Sequence, residues 1–273
     1  MPRSFTGRDG SDEIDPLYGF KRLSELYFKA EPSFSGRYTV PVLWDKVHET
    51  IVSNESSEII RMLYSAFDAF LPASLQEKNK PDGGLLPPHL LSEIDDMNSW
   101  VYDTINNGVY KAGFAANQSA HEEAVRAIFK SLDRVEDILA KSTGPYLFGS
   151  HITEADIRLY PTIARFDVAY YTLFMCNLKM IRHDYPEIQK WFLRLYWDES
   201  EETRGAFKAS TFFDAVRPSI YIERLNTDTL RLKKAMRRHQ GRIFFPSVLT
   251  LMSYRWPLKW LSKLVYVVRN SFN

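Results

Sequence analysis

Cysteine occurs once in 273 residues, at Cys176, so no intrachain disulfide can form and nothing asks for an oxidising compartment. Apolar runs are short: none reaches the roughly 18 residues a membrane-spanning helix needs, and Met1 to Gly10 has no apolar stretch of the kind a secretion signal uses. The six histidines fall at no metal-ligand spacing, and His121-Glu-Glu-Ala-Val lacks the second histidine of a zincin helix. A phosphate loop, a dinucleotide fingerprint and a nucleophile elbow are also missing. Together these absences argue against secretion, membrane spanning and metal chemistry. They leave a cytoplasmic protein without a metal as the expectation.

What is present suits a large globular chain. With 45% hydrophobic and 25% charged residues the sequence can bury two modest cores. Six Trp, 15 Tyr and 18 Phe supply aromatic surface for packing or for stacking flat ligands. The net charge of +1 hides an uneven distribution. Residues 217–273 carry 12 Lys and Arg against Glu223 and Asp228, so the rest of the chain is acidic and the tail strongly basic.

Periodicity divides the chain. Tyr18, Phe20, Leu23, Leu26 and Tyr27 return at helical spacing and predict a helix over Pro16–Ala30. Tyr38–Leu43 and Thr50–Val52, rich in β-branched and aromatic residues, predict a hairpin around the turn-like Asp45–Glu49. A helix follows from Glu55, and Lys78–Pro88, with its Pro and Gly clusters, reads as a linker. Beyond it the pattern is helical: Ala124, Ile128, Leu132, Val135 and Leu139 mark a long amphipathic helix over Ser119–Lys141. Thr153 and Asp156 form a capping-box signature for an apolar helix running through Ile157 to Tyr170.

Two short segments have the chemistry to hold a ligand. Val40-Pro41 is a place where a cis peptide costs only about 0.5–1 kcal/mol, and main-chain groups of Val40 left free there could pair with an extended peptide. An ordinary edge-strand proline explains the same residues equally well. Glu55-Ser56 opens a helix, whose free N–H groups favour a carboxylate, while Glu55 could accept an ammonium group. Simple helix capping is the plainer explanation.

Asp15-Pro-Leu-Tyr-Gly-Phe, Gly36-Arg-Tyr-Thr-Val-Pro-Val-Leu-Trp-Asp, Asn54-Glu-Ser-Ser-Glu-Ile-Ile, Asn106-Asn-Gly-Val-Tyr-Lys-Ala-Gly-Phe-Ala and Thr153-Glu-Ala-Asp-Ile-Arg-Leu resemble the glutathionyl-hydroquinone reductases, the Xi-class, omega-like glutathione transferases. The resemblance spans about residues 15–216. It implies an α+β, mostly α, fold: a truncated thioredoxin-like domain over 1–72, an all-helical domain over 85–216 and a divergent basic tail over 217–273. It further implies glutathione as co-substrate at Val40, Pro41, Glu55 and Ser56, an aromatic hydroquinone at Tyr110 with Arg165 and Tyr170 as weaker candidates, and a homodimer.

Members of that family carry a Cys-Pro-Trp-Ala motif at a helix start, where the thiolate attacks the sulfur of a glutathionylated hydroquinone and a second glutathione restores it. This sequence has no such motif. The expectation is therefore a chain without its nucleophile, inactive as it stands, or a noncatalytic glutathione-binding or dimerising module. Cys176, in the apolar run Tyr171-Thr-Leu-Phe-Met-Cys, reads as a helical, buried and inert thiol. The remnant over about residues 1–72 is expected to be the least stable part, its two-stranded hairpin left with one edge uncovered. In the tail, basic Arg231–Arg242 precedes an aromatic-aliphatic stretch that could touch an anionic membrane surface, although an unpacked extension is the plainer reading of the same charge bias; no nucleic-acid motif accompanies it.

Overall fold

The computed structural model describes residues 14–80, 83–211, 213 and, for the backbone, 265–268. The basic stretch Arg231–Arg242 and all of the tail except 265–268 lie outside the described residues. The chain divides into two compact units, one of Met1–Phe70 with Arg238–Asn273 and one of Leu71–Arg237.

In the first unit α1 spans Leu23–Ala30, shorter than the periodicity predicts. Tyr18 N–H donates to the Asp15 carboxylate at 2.7 Å and Gly19 adopts a positive φ of 72°, which turns the chain before a helix can form. The Glu25 carboxylate then accepts from the Lys21 and Arg22 amides, so the helix starts where that cap sits. Leu23, Leu26 and Tyr27 bury the apolar face beside Val42 and Trp44.

The hairpin forms as β1, Val42–Asp45, and β2, Thr50–Ser53, antiparallel with Asp45 opposite Thr50. Its turn is held by Asp45, whose carboxylate accepts from the Val47 and His48 amides and meets the His48 ring at 2.7 Å. The His48 bond is the largest cause holding the Asp45 pKa down at about 2. The first strand begins at Val42 rather than Tyr38, because Tyr38 and Thr39 turn aside to pack on and bond Tyr27. α2 follows at Ser56–Ser65 and buries Ile59, Ile60, Leu63 and Tyr64.

The uncovered edge expected for β1 is not found. A third strand, β3 at Val265–Val268, pairs with it antiparallel, Val42 opposite Val268 and Asp45 opposite Val265, giving the sheet order β2-β1-β3. The backbone groups that would face solvent on that edge are paired. Nothing in the local sequence could announce this, since pairing partners so far apart leave no short-range pattern.

The second unit is helical. Short 3₁₀ turns over Ala73–Leu75, Glu77–Asn79 and Pro88–Leu90 precede α3, Leu91–Val101, and α4, Gly108–Gly113. The long α5, Gln118–Lys141, starts on Asn117, whose side chain accepts from the Ala120 amide at 2.9 Å. α6, Glu154–Arg165, has the capping box that Thr153 and Asp156 predict. Asp156 also accepts from Leu147 N–H and from the Trp191 indole, so one carboxylate ties the helix start to a loop and to Trp191. Among the described residues the remaining helices are α7, Tyr171–Leu173, α8, Ile181–Asp184, α9, Pro186–Trp197, and α10, Ala206–Ala209.

Two π-helical turns interrupt this bundle, Tyr102–Asn106 after α3 and Phe166–Tyr170 after α6. The apolar helix read as continuous to Tyr170 is therefore α-helical only to Arg165. Such turns re-aim side chains and recur at functional sites. The Asn106 side chain pins the first turn to α6, donating to Arg158 O at 3.1 Å and accepting from Thr162 Oγ1 at 3.0 Å.

Candidate functional site

Val40, Pro41, Glu55 and Ser56 all belong to the first unit. The Val40–Pro41 peptide is cis and leads directly into β1. Both residues are half-buried, and among the described residues no hydrogen bond occupies the main chain of Val40.

Glu55 is the N-cap position of α2, yet its side chain makes no capping bond. That role falls to Ser53 and Glu58: Ser53 Oγ accepts from Glu55 N–H at 3.1 Å and donates to the Glu58 carboxylate at 2.9 Å. Glu55 and Ser56 are exposed, and neither side chain has a hydrogen-bond partner among the described residues. The plain capping explanation of Glu55-Ser56 thus fails on geometry. A carboxylate and a hydroxyl side chain stand at the N-terminus of α2, and the carboxylate makes no hydrogen bond to the helix amides.

The sequence reading overlooked three neighbours of this pair. Tyr27 on α1, Thr39 just before Val40 and Asn54 just before Glu55 form one hydrogen-bonded cluster: Asn54 Nδ2 donates to Thr39 Oγ1 at 2.8 Å and to Tyr27 OH at 3.1 Å. Tyr27 OH donates to Thr39 O at 2.8 Å and accepts from Thr39 N–H at 3.2 Å. Only the adjacency of Thr39 to Val40 and of Asn54 to Glu55 could have drawn attention to them.

Tyr110, Arg165 and Tyr170 gather in the second unit. The two tyrosine hydroxyls are 3.2 Å apart. The Tyr110 ring stacks on Phe114 at 6.3 Å between centroids and meets Phe174 edge-on at 5.6 Å, while Tyr170 stacks on Phe174 at 5.4 Å. Desolvation drives the Tyr110 pKa well above its ordinary value and the Tyr170 hydroxyl adds to that; the buried Arg165 pulls it back only in part. Tyr110 is therefore a neutral phenol, able to donate or accept one hydrogen bond. Phe114 and Phe174, not singled out in the sequence, complete the aromatic box. His121 Nε2 lies 3.0 Å from Phe174 O and fixes the end of that segment.

Cys176 is not on a helix. Met175 takes a positive φ of 55°, the helical run stops at Leu173, and Cys176 N–H reaches back to Tyr170 O at 3.2 Å. Its thiol is fully buried, and desolvation pushes its pKa up to about 12. Among the described residues no cluster of three His, Cys, Asp or Glu could hold a metal, and no helix is long and apolar enough to cross a membrane.

Known proteins share much of this chain. Residues 118–194 match the glutathione S-transferase C-terminal domain. Glutathione S-transferase omega-like 2 of Schizosaccharomyces pombe is 47% identical over 203 residues, which is 74% of this chain and 62% of that protein. The glutathionyl-hydroquinone reductase YqjG of Escherichia coli K12 is 49% identical over 193 residues, 71% of this chain and 54% of its own length; its glutathione-bound structure has a TM-score of 0.68 at 45% identity, covering 78% of this chain and 64% of that one. The crystal structure of the glutathione-S-transferase Xi from Phanerochaete chrysosporium has a TM-score of 0.69 at 48% identity, covering 77% of this chain and 64% of that one. The chain spans about three-fifths of the length of the curated relatives it matches.

Proposed function

Since this chain belongs to the glutathione transferase family, among its Xi-class and omega-like members, we propose that it binds glutathione through Val40, Pro41, Glu55 and Ser56 and takes an aromatic diol or quinone against Tyr110, with Arg165 and Tyr170 beside it. The observation that carries this reading is the pair Glu55 and Ser56, a carboxylate and a hydroxyl without partners among the described residues at the N-terminus of α2. A γ-glutamyl group has a carboxylate for the helix N–H groups and Ser56, and an ammonium for Glu55. The main chain of Val40 offers an extended peptide one donor and one acceptor.

Glutathione is bound in a solved structure of YqjG, which is named a glutathionyl-hydroquinone reductase. The ligand class of that relative is the one proposed for this chain, and the reductase reaction is not assigned to its residues. That reaction needs a thiolate, and the single cysteine of this sequence is buried with its pKa raised to about 12. On this reading the named residues bind the two ligands, and Cys176 supplies no thiolate to them.

Titration calorimetry with glutathione tests the site. Glu55→Gln and Ser56→Ala should each weaken binding about tenfold, the loss of one charge-assisted contact; unchanged affinity in both would overturn the assignment. A thiol-transfer assay with a glutathionylated hydroquinone tests the chemistry: no turnover is expected, and turnover abolished by Cys176→Ser would refute the exclusion of that thiol.

A further inference from the structure

Resting on that reading of Val40 and Glu55-Ser56, we propose that Asn54 is a positioning residue that, with Tyr27 and Thr39, sets the spacing between the two halves of the glutathione site. Asn54 stands next to Glu55 and Thr39 next to Val40 in the chain. The two amide hydrogens of Asn54 Nδ2 go to Thr39 Oγ1 and Tyr27 OH, so one side chain spans from the entry of α2 to the segment before Pro41.

Tyr27 makes the link directional. Its hydroxyl donates to the Thr39 carbonyl, which belongs to the same planar peptide as Val40 N–H. In a trans peptide the C=O and N–H point opposite ways; holding the carbonyl on Tyr27 therefore aims the Val40 N–H away from it. The phenol oxygen also accepts from Thr39 N–H and Asn54 Nδ2, which completes its hydrogen bonds. The Tyr27 ring is buried and held by Phe34 and Tyr38 with centroids 4.9 and 5.6 Å away, so the anchor itself cannot drift.

A ligand that bonds Val40 with its cysteinyl backbone and the start of α2 with its γ-glutamyl end gains from both only if their separation is already set. An error of about 1 Å is enough to lose one of the two contacts. A cluster that served only the core would lower stability without discriminating between ligands. A positioning cluster discriminates: ligands reaching both halves depend on it, and ligands reaching one half do not.

The test compares glutathione with γ-glutamyl ethylamide, which has the γ-glutamyl zwitterion and no cysteinyl backbone, by amide chemical-shift titration of the full chain, of Asn54→Ala, of Tyr27→Phe and of Glu55→Gln. Asn54→Ala and Tyr27→Phe should each weaken glutathione about tenfold and leave γ-glutamyl ethylamide within twofold, and the double variant should be no worse than either alone because both break one linkage. Tyr27→Phe keeps the buried ring and so guards against loss of folding in Asn54→Ala. Equal weakening of both ligands, or glutathione affinity unchanged in both variants while Glu55→Gln reduces it, would overturn the positioning role and leave the site standing. Glutathione binding that is undetectable in the unaltered chain would overturn the site and the positioning role together.

Discussion

The hydroxyl of Tyr110 sits 3.2 Å from that of Tyr170, although 60 residues separate them and each follows or ends a π-helical turn. Without the second turn, the α6 helix would continue in register and present a different residue to Tyr110. One hydroxyl donates to the other across this contact, and burial keeps Tyr110 neutral because it disfavours the phenolate.

That neutrality predicts the alkaline behaviour. Tyr110, Tyr160 and Tyr185 all have pKa values raised by desolvation. A raised folded-state pKa means the unfolded chain releases these protons first, above its ordinary tyrosine value of about 10. Stability contributed by keeping them protonated is whole below pH 10 and should be lost as pH rises beyond it. Urea unfolding at pH 8, 9 and 10.5 checks this, and a midpoint that holds steady at 10.5 would contradict it.

Gly113 lies against the ring of Phe174, so close that an added methyl would collide with the side chain. Gly113→Ala should push Phe174 off Tyr110 and Tyr170 and cost about 1–3 kcal/mol. Urea denaturation reads the stability, and near-ultraviolet circular dichroism reads the disturbed rings. A variant as stable as the parent with an unaltered aromatic spectrum would show that the ring has room to move.

Asp156 accepts from Leu147 N–H, Thr153 N–H, Thr153 Oγ1 and Trp191 Nε1 in a fully buried setting. Asp156→Ala strands four buried donors at once and should destabilise the helical unit by roughly 4 kcal/mol, at about 1 kcal/mol for each lost bond. Thr153→Ala, which removes one side of the cap, should cost about 1 kcal/mol. Equal effects of the two substitutions in thermal unfolding would argue that the cap, and not the wider network, carries the energy.

Cys176 should be silent toward a disulfide reagent. With its thiol buried and its pKa near 12, Ellman's reagent at pH 8 should label the folded chain slowly and the urea-unfolded chain to one equivalent. Rapid labelling of the folded chain would mean that the thiol is accessible after all.

How far the sequence reaches depends on the range of the interaction. The Thr153 and Asp156 cap and the start of α5 beside Asn117 rest on contacts three residues apart, and both elements begin within a residue of the periodic pattern. The start of α1 was misplaced because Tyr18 and Phe20 fit a helical face while Asp15, Gly19 and Glu25 impose a turn before it. Cys176 left its expected helix through a single positive φ at Met175, a residue type that gives no warning of that conformation. At the candidate site the ligand-facing residues were named through family motifs, while Tyr27, Thr39 and Asn54 escaped notice because their bonds join residues 12 to 27 positions apart. The edge of β1 was misjudged for the same reason on a longer scale.

The pairing of Val265–Val268 with Val42–Asp45 makes the first unit a discontinuous one, opened by early residues and closed by late ones with the helical unit inserted between. During synthesis the helical unit has every one of its own segments at hand before Val265 exists. The sheet does not: it must keep the flank of β1 unpaired while more than two hundred residues are added, and it closes only by a long-range search whose entropy cost grows with that separation. For that interval the waiting strand edge is the surface on which two nascent copies could join each other in place of their own β3, so the order of synthesis, and not the depth of the finished fold, sets when this chain is most exposed to exchange of strands.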